Sequence, residues 1–164
     1  LLKFYEGILN SNNDEKDVVL NNLGLIYYQV RKYDKALFYL VKSSELEPRN
    51  YSNYLHLAYL YYNTEKYKEV IKNVDKAAAI DENNPLSYFV GIKASLKLND
   101  LDKAKQYYTD LTTKSKVSQF SRLAQAVYFL GTNDEAKATV ILKELQEVFQ
   151  YDYYIKNLLF NLKF

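Results

Sequence analysis

A spacing of 34 residues recurs along this 164-residue chain and limits its fold more than any other feature. Tyr27, Tyr61 and Ser95 stand in one column at that spacing, and Gly24, Ala58 and Ile92 in a second. Tyr33, Tyr67 and Leu101 make a third column, and Ala36, Val70 and Ala104 a fourth. A period of this length marks stacked supersecondary units, each burying its apolar face only against its neighbours. Inside a copy, apolar residues step by three and four: Leu20, Leu23 and Tyr27, then Tyr54, Leu57 and Tyr61. That is the period of a helix, not the alternation of a half-buried strand.

Each copy divides into two helices. In the first copy, residues 18–30 read as a helix that gives way at Arg31-Lys32-Tyr33. A second helix starts near Asp34, a suitable N-cap, and ends before Pro48, which cannot continue a helix interior. The second copy reads as helices over 51–62 and 68–80, leaving through Asp81-Glu82-Asn83-Asn84-Pro85. The third reads as helices over 86–98 and 102–111, joined by Asn99-Asp100-Leu101.

Leu23-Gly24-x-x-Tyr27, then Tyr33-Asp34-Lys35-Ala36, then Pro48 resemble a tetratricopeptide repeat. The second copy carries Leu57-Ala58-x-x-Tyr61, Tyr67 and Ala77, and the third Leu101-Asp102-Lys103-Ala104. The third departs from the family at Gly91, Ile92 and Ser95. Leu123-Ala124 and Leu130-Gly131-Thr132-Asn133-Asp134-Glu135-Ala136 suggest a fourth copy, two residues short of the period, with the deletion expected in 112–116. Lys143 then stands where a small core residue belongs, so this copy reads as degenerate or as a cap. Gly131 reads as a helix terminator. The resemblance implies an all-α, right-handed superhelical array of helix-turn-helix repeats in a single domain. The repeats are placed at 17–50, 51–84, 85–116 and 117–150. Residues 1–16 read as the tail of an earlier helix and a loop, and 151–164 as a closing helix. The start at Leu1-Leu2 without Met reads as the middle of a helix in a longer protein.

Composition removes several kinds of chemistry. There is no Cys, so thiol nucleophiles and thiolate metal sites are excluded. One His cannot build a two-His metal motif, and four Gly supply no phosphate-cradling loop. A net charge of +2 gives no strong field for a nucleic acid, and no apolar run reaches the length of a membrane span. No cofactor, metal or catalytic residue is expected, and the chain reads as a non-enzyme. The compartment stays open between cytoplasm and bacterial cell envelope. The abundance of Lys, Asn and Tyr fits an AT-rich coding sequence and a bacterial source.

The composition is rich in one useful side chain: 18 Tyr beside 8 Phe and no Trp. Tyr packs its ring while presenting a hydroxyl, which suits a protein-binding surface. The resemblance implies that the first helix of each pair lines a concave face. Carried onto this chain, that face holds Asn21, Leu25, Tyr28 and Gln29, then Leu55, His56, Tyr59, Tyr62 and Asn63. It continues through Phe89, Lys93, Leu96 and Lys97, and through Ser121, Gln125, Tyr128 and Phe129. The expected function is an adaptor or scaffold that binds a peptide or helix of another protein there. The clamp that holds an acidic chaperone tail in some relatives maps to Asn21, Leu25, His56, Leu86 and Val90, which lack its cations. A second expectation is docking, to another subunit or to a copy of itself, through the apolar closing helix at Tyr154, Leu158, Leu159 and Phe160. A third is a regulatory domain of a larger protein.

Overall fold

A computed structural model describes residues 16–148 together with Tyr5 and Gly7. Among the described residues the secondary structure is eight helices and no strand. They are α1 (Lys16–Gln29), α2 (Tyr33–Leu46), α3 (Tyr51–Asn63), α4 (Tyr67–Ile80), α5 (Pro85–Lys97), α6 (Leu101–Lys114), α7 (Gln119–Gly131) and α8 (Glu135–Val148). The expected helices of the first three copies are all present, with ends displaced by a few residues. The tail at 1–9, apart from Tyr5 and Gly7, and the closing helix, including Tyr154, Leu158, Leu159 and Phe160, lie outside the described residues.

The turn inside each pair is built the same way four times. Arg31, Glu65, Asn99 and Asn133, spaced by 34, each take a left-handed conformation with φ of 56° to 60°. In the first turn the Arg31 amide donates to Tyr28 O and the Lys32 amide to Tyr27 O, both at 2.9 Å. The same pair of bonds recurs from Glu65 and Lys66, from Asn99 and Asp100, and from Asn133 and Asp134. This is a Schellman motif, which satisfies the last carbonyls of the first helix. The next residue opens the second helix. Lys32, not Asp34, holds the N-cap of α2, and its side chain makes no cap bond. Lys66 is equally uncapped at α4. Asp100 caps α6 by accepting from the Lys103 amide at 3.0 Å. The first helices are capped by side chains: Asn50 for α3, Asn84 for α5, and a reciprocal Ser118–Ser121 box for α7.

The fourth copy corrects the expected two-residue deletion. Ala126 stands 34 residues after Ile92, and Ala138 stands 34 after Ala104; both are fully buried. Leu145, 5% exposed, fills the column of Ser43, Ala77 and Leu111, while Lys143 is exposed. The period is therefore unbroken, and residues 112–114 belong to α6. Gly131 is not the left-handed residue of its turn, a part taken by Asn133. Its place is explained by a close approach, since a Cβ there would strike the Leu96 side chain.

The chain divides into two compact units, Leu1–Asp81 and Glu82–Phe164. In the first unit α1 packs on α2, α3 on α4, and α3 also on α2. Its core is Tyr27, Ala36, Leu40, Tyr54, Leu57, Leu60 and Ala77. Burying a side chain such as Leu40 contributes about 1.5–3 kcal/mol. Gly24 lets α1 approach α2, because a Cβ there would lie 2.6 Å from Leu40 Cγ. In the second unit α5 packs on α6 and α7, and α7 on α8. Gly91 meets Tyr107 in the same manner as Gly24 meets Leu40, and Leu123, Ala126, Ile141, Leu142 and Leu145 close the α7–α8 end.

Candidate protein-binding face

In the first unit the candidate face lies on α1 and α3. Beyond Asp17, α1 carries no charge, and α3 carries none at all. Tyr28 on α1 and Tyr59 on α3 are half-buried. Asn63 joins them: its amide donates to the Tyr28 hydroxyl and to Tyr59 O, the latter at 3.2 Å. Burial, then the neighbouring Tyr33, holds the Tyr28 phenol above its ordinary pKa. Burial, then Tyr28, does the same for Tyr59. Both hydroxyls thus stay protonated and can donate as well as accept. Tyr62 sits edge-on to Tyr67 at 5.5 Å, and Leu25 is half-buried.

Two candidates are interior residues, not parts of an open face. Leu55 is 5% exposed. Asn21 is 9% exposed, and its amide is committed to Asn53 Oδ1. Asn53, fully buried and not anticipated, also accepts from Ser43 Oγ at 3.0 Å and donates to Ser43 O at 3.2 Å. The single Ser43 Oγ proton is shared between Asn53 Oδ1 and Asp17 O, the latter at 2.8 Å. A buried polar group is tolerated only when its bonds are made, which is what this network achieves. His56 is half-buried with Nδ1 lacking a hydrogen-bond partner, and burial pushes its pKa down.

In the second unit Phe89, Lys93 and Lys97 follow one another at four-residue steps along α5. Phe89 packs against the core cluster built from α7 and α8, and Lys93 Nζ lies 5.2 Å from the Phe89 ring centroid. Burial, then the Lys97 charge, lowers the Lys93 pKa. Lys97 is exposed. Tyr128 is elsewhere. Its ring stacks on Tyr108 of α6 at 4.3 Å, and Phe129 is edge-on to both. Ser121 is taken up by the α7 cap. The assumed deletion misplaced these residues. With the period intact, the counterparts of Lys93 and Leu96 on α7 are Val127 and Leu130. The columns ending at Ala126 and Ala138 carried the signal that would have found them.

Among the described residues no group of three or more acidic or imidazole side chains could hold a metal ion. Among them, too, no helix is long and apolar enough to cross a membrane.

The model of a family described as anaphase-promoting complex, cyclosome, subunit 3 matches residues 29–111. Subunit 3 of that complex from Schizosaccharomyces pombe is 26% identical over 136 residues, which cover 74% of this chain and 20% of the relative. The chain thus spans about a fifth of that relative's length. This relative is a yeast protein and lends no support to a bacterial source. Among solved structures, a tetratricopeptide repeat protein from Parabacteroides merdae superimposes with a TM-score of 0.79 at 15% identity, over 98% of this chain and 64% of its own. A repeat protein from Thermus thermophilus gives 0.79 at 14% identity, over 98% and 88%. The Cut9–Hcn1 hetero-tetramer of the anaphase-promoting complex gives 0.77 at 18% identity, over 92% and 29%. These likenesses establish the all-α repeat fold.

Proposed function

The chain belongs to the family of subunit 3 of the anaphase-promoting complex, or cyclosome, and from that membership we propose that it is a non-enzymatic scaffold which holds a segment of a partner protein against its first helices. The repeat fold itself is that of a protein-interaction scaffold. The Tyr28–Asn63–Tyr59 cluster carries the finer reading. It links the Tyr28 hydroxyl of one repeat to the Tyr59 backbone of the next, and both rings are half-buried on helices almost without charge. Such rings offer large contact area at small entropic cost, and their hydroxyls supply direction. The yeast relative is named as a subunit of a complex, and the Cut9–Hcn1 structure is named as a hetero-tetramer of that complex. Both support a place in a multiprotein assembly.

Partner capture by the wild-type chain and by Tyr28→Ala/Tyr59→Ala tests this reading. Capture should fall about tenfold or more, the effect of losing one or two hot-spot residues, with the melting transition preserved. A folded double variant that captures its partner as well as wild type would refute the site.

A further inference from the structure

The Tyr28–Asn63–Tyr59 cluster presents hydrogen-bond donors and no charge. Tyr59 O is a carbonyl and can only accept, so it fixes the Asn63 carboxamide with Nδ2 towards it. The same Nδ2 gives its other hydrogen to the Tyr28 hydroxyl. That hydroxyl acts as an acceptor inside the cluster, which leaves its own proton to donate outward. The Tyr59 hydroxyl stays protonated and is a second donor. Tyr33 leans on the Tyr28 ring at 6.2 Å and 49°, so that ring is held before anything binds. The helices behind carry no charge after Asp17 on α1 and none on α3. A charged residue brought against them would lose hydration and meet no opposite charge. The fitting ligand is therefore apolar, uncharged and richer in acceptors than in donors. Proline meets all three conditions, because it has a carbonyl and no N–H.

We infer, resting on the partner-binding reading above, that this cluster is a docking site for an uncharged, proline-rich segment of a partner protein in the extended polyproline conformation. Proline rings lie against the half-buried Tyr28 and Tyr59 rings, and carbonyls of the segment accept from the two hydroxyls. Asn63 Oδ1 is left to accept from the N–H of an intervening residue. A polyproline helix has no internal hydrogen bonds and is formed before it binds, so its carbonyls are available and little conformational entropy is lost. An α-helix of the partner would commit its carbonyls to its own ladder and leave both hydroxyls without acceptors.

Two libraries of 12-residue peptides, acetylated and amidated at their ends and free of charged residues, test the site on the whole chain. One carries proline at two of every three positions, and the other carries none. Binders should come from the proline library, with an affinity that changes less than about twofold between low and high salt. Tyr28→Ala/Tyr59→Ala should lower that affinity about tenfold or more. Tyr28→Phe/Tyr59→Phe keeps both rings, removes both donors and should lower it about threefold or more. The phenylalanine pair keeps the test informative should the alanine pair not fold. Binders from the proline-free library alone would overturn the proline assignment and leave the partner-binding reading standing. So would an absence of binders from both, with the partner protein still captured through Tyr28 and Tyr59. Proline-rich binders that ignore both tyrosines would overturn the site. Partner capture that ignores both tyrosines would sink the reading beneath it.

Discussion

Asn53 Oδ1 accepts a hydrogen bond from Asn21 Nδ2 at 2.5 Å, joining the first helices of two successive repeats inside the core of the first unit. Asn53→Leu would strand the Asn21 amide and remove two bonds to the α2 end, Ser43 O and Glu47 O. The expected cost is about 2–4 kcal/mol in urea unfolding of the first unit, the range for a broken buried network. A change within about 0.5 kcal/mol, typical of a surface substitution, would show that the network is energetically idle.

The uncapped N-terminus of α4 is open to improvement. Lys66 holds the position that Asp100 and Asp134 hold in the last two copies. Lys66→Asp should stabilise the chain by about 0.5–2 kcal/mol, combining a cap bond with a favourable charge at the helix N-terminus. Asp100→Lys should lose a comparable amount. Equal melting temperatures for all three chains would contradict the assigned caps.

Gly91 is held small by Tyr107. A Cβ at position 91 would lie 2.7 Å from Tyr107 Cε2, and that ring is 2% exposed, with nowhere to go. Gly91→Ala should cost about 1–3 kcal/mol through overpacking. Adding Tyr107→Leu should recover part of the loss if the ring is the obstacle. Failure of the second change to rescue the first would place the strain elsewhere.

His56 makes the first unit sensitive to acid. Burial lowers its folded pKa below the ordinary 6.5, so the unfolded chain binds the proton more readily. Its contribution is therefore complete above about pH 6.5 and is lost as pH falls through the folded value. Denaturation midpoints between about pH 8 and pH 5 should decline for wild type more steeply than for His56→Gln. Parallel curves would show that His56 does not titrate differently in the two states.

Much of this fold was legible because a repeat states its rules more than once. Columns at 24, 27, 33 and 36 located the pairs of three copies and, through Tyr33 and Pro48, most helix ends. The fourth copy hides its register because Leu123-Ala124 imitates the Leu57-Ala58 step two residues early, while the weaker column at Ala126 and Ala138 is the one the core obeys. Asp34 looks like an N-cap, but the left-handed Arg31 places the N-cap one residue beyond itself, at Lys32, so that the second helix starts at Tyr33. The face of the first helices is less legible for a related reason. A single-helix mapping reports which side a residue faces, not whether the next repeat covers it. Tyr28 and Tyr59 lie at a partly open edge, whereas Asn21 meets Asn53 of the following repeat and is enclosed.

A photo-crosslinking side chain at position 59 interrogates partner contact on the first helices most directly. Installed there, it should capture the partner protein. The same group at position 38, an exposed site on the second helix α2 where Phe38 is 52% exposed, should not. Crosslinks from position 38 with none from position 59 would place the partner on the other side of the repeats and contradict the proposed face.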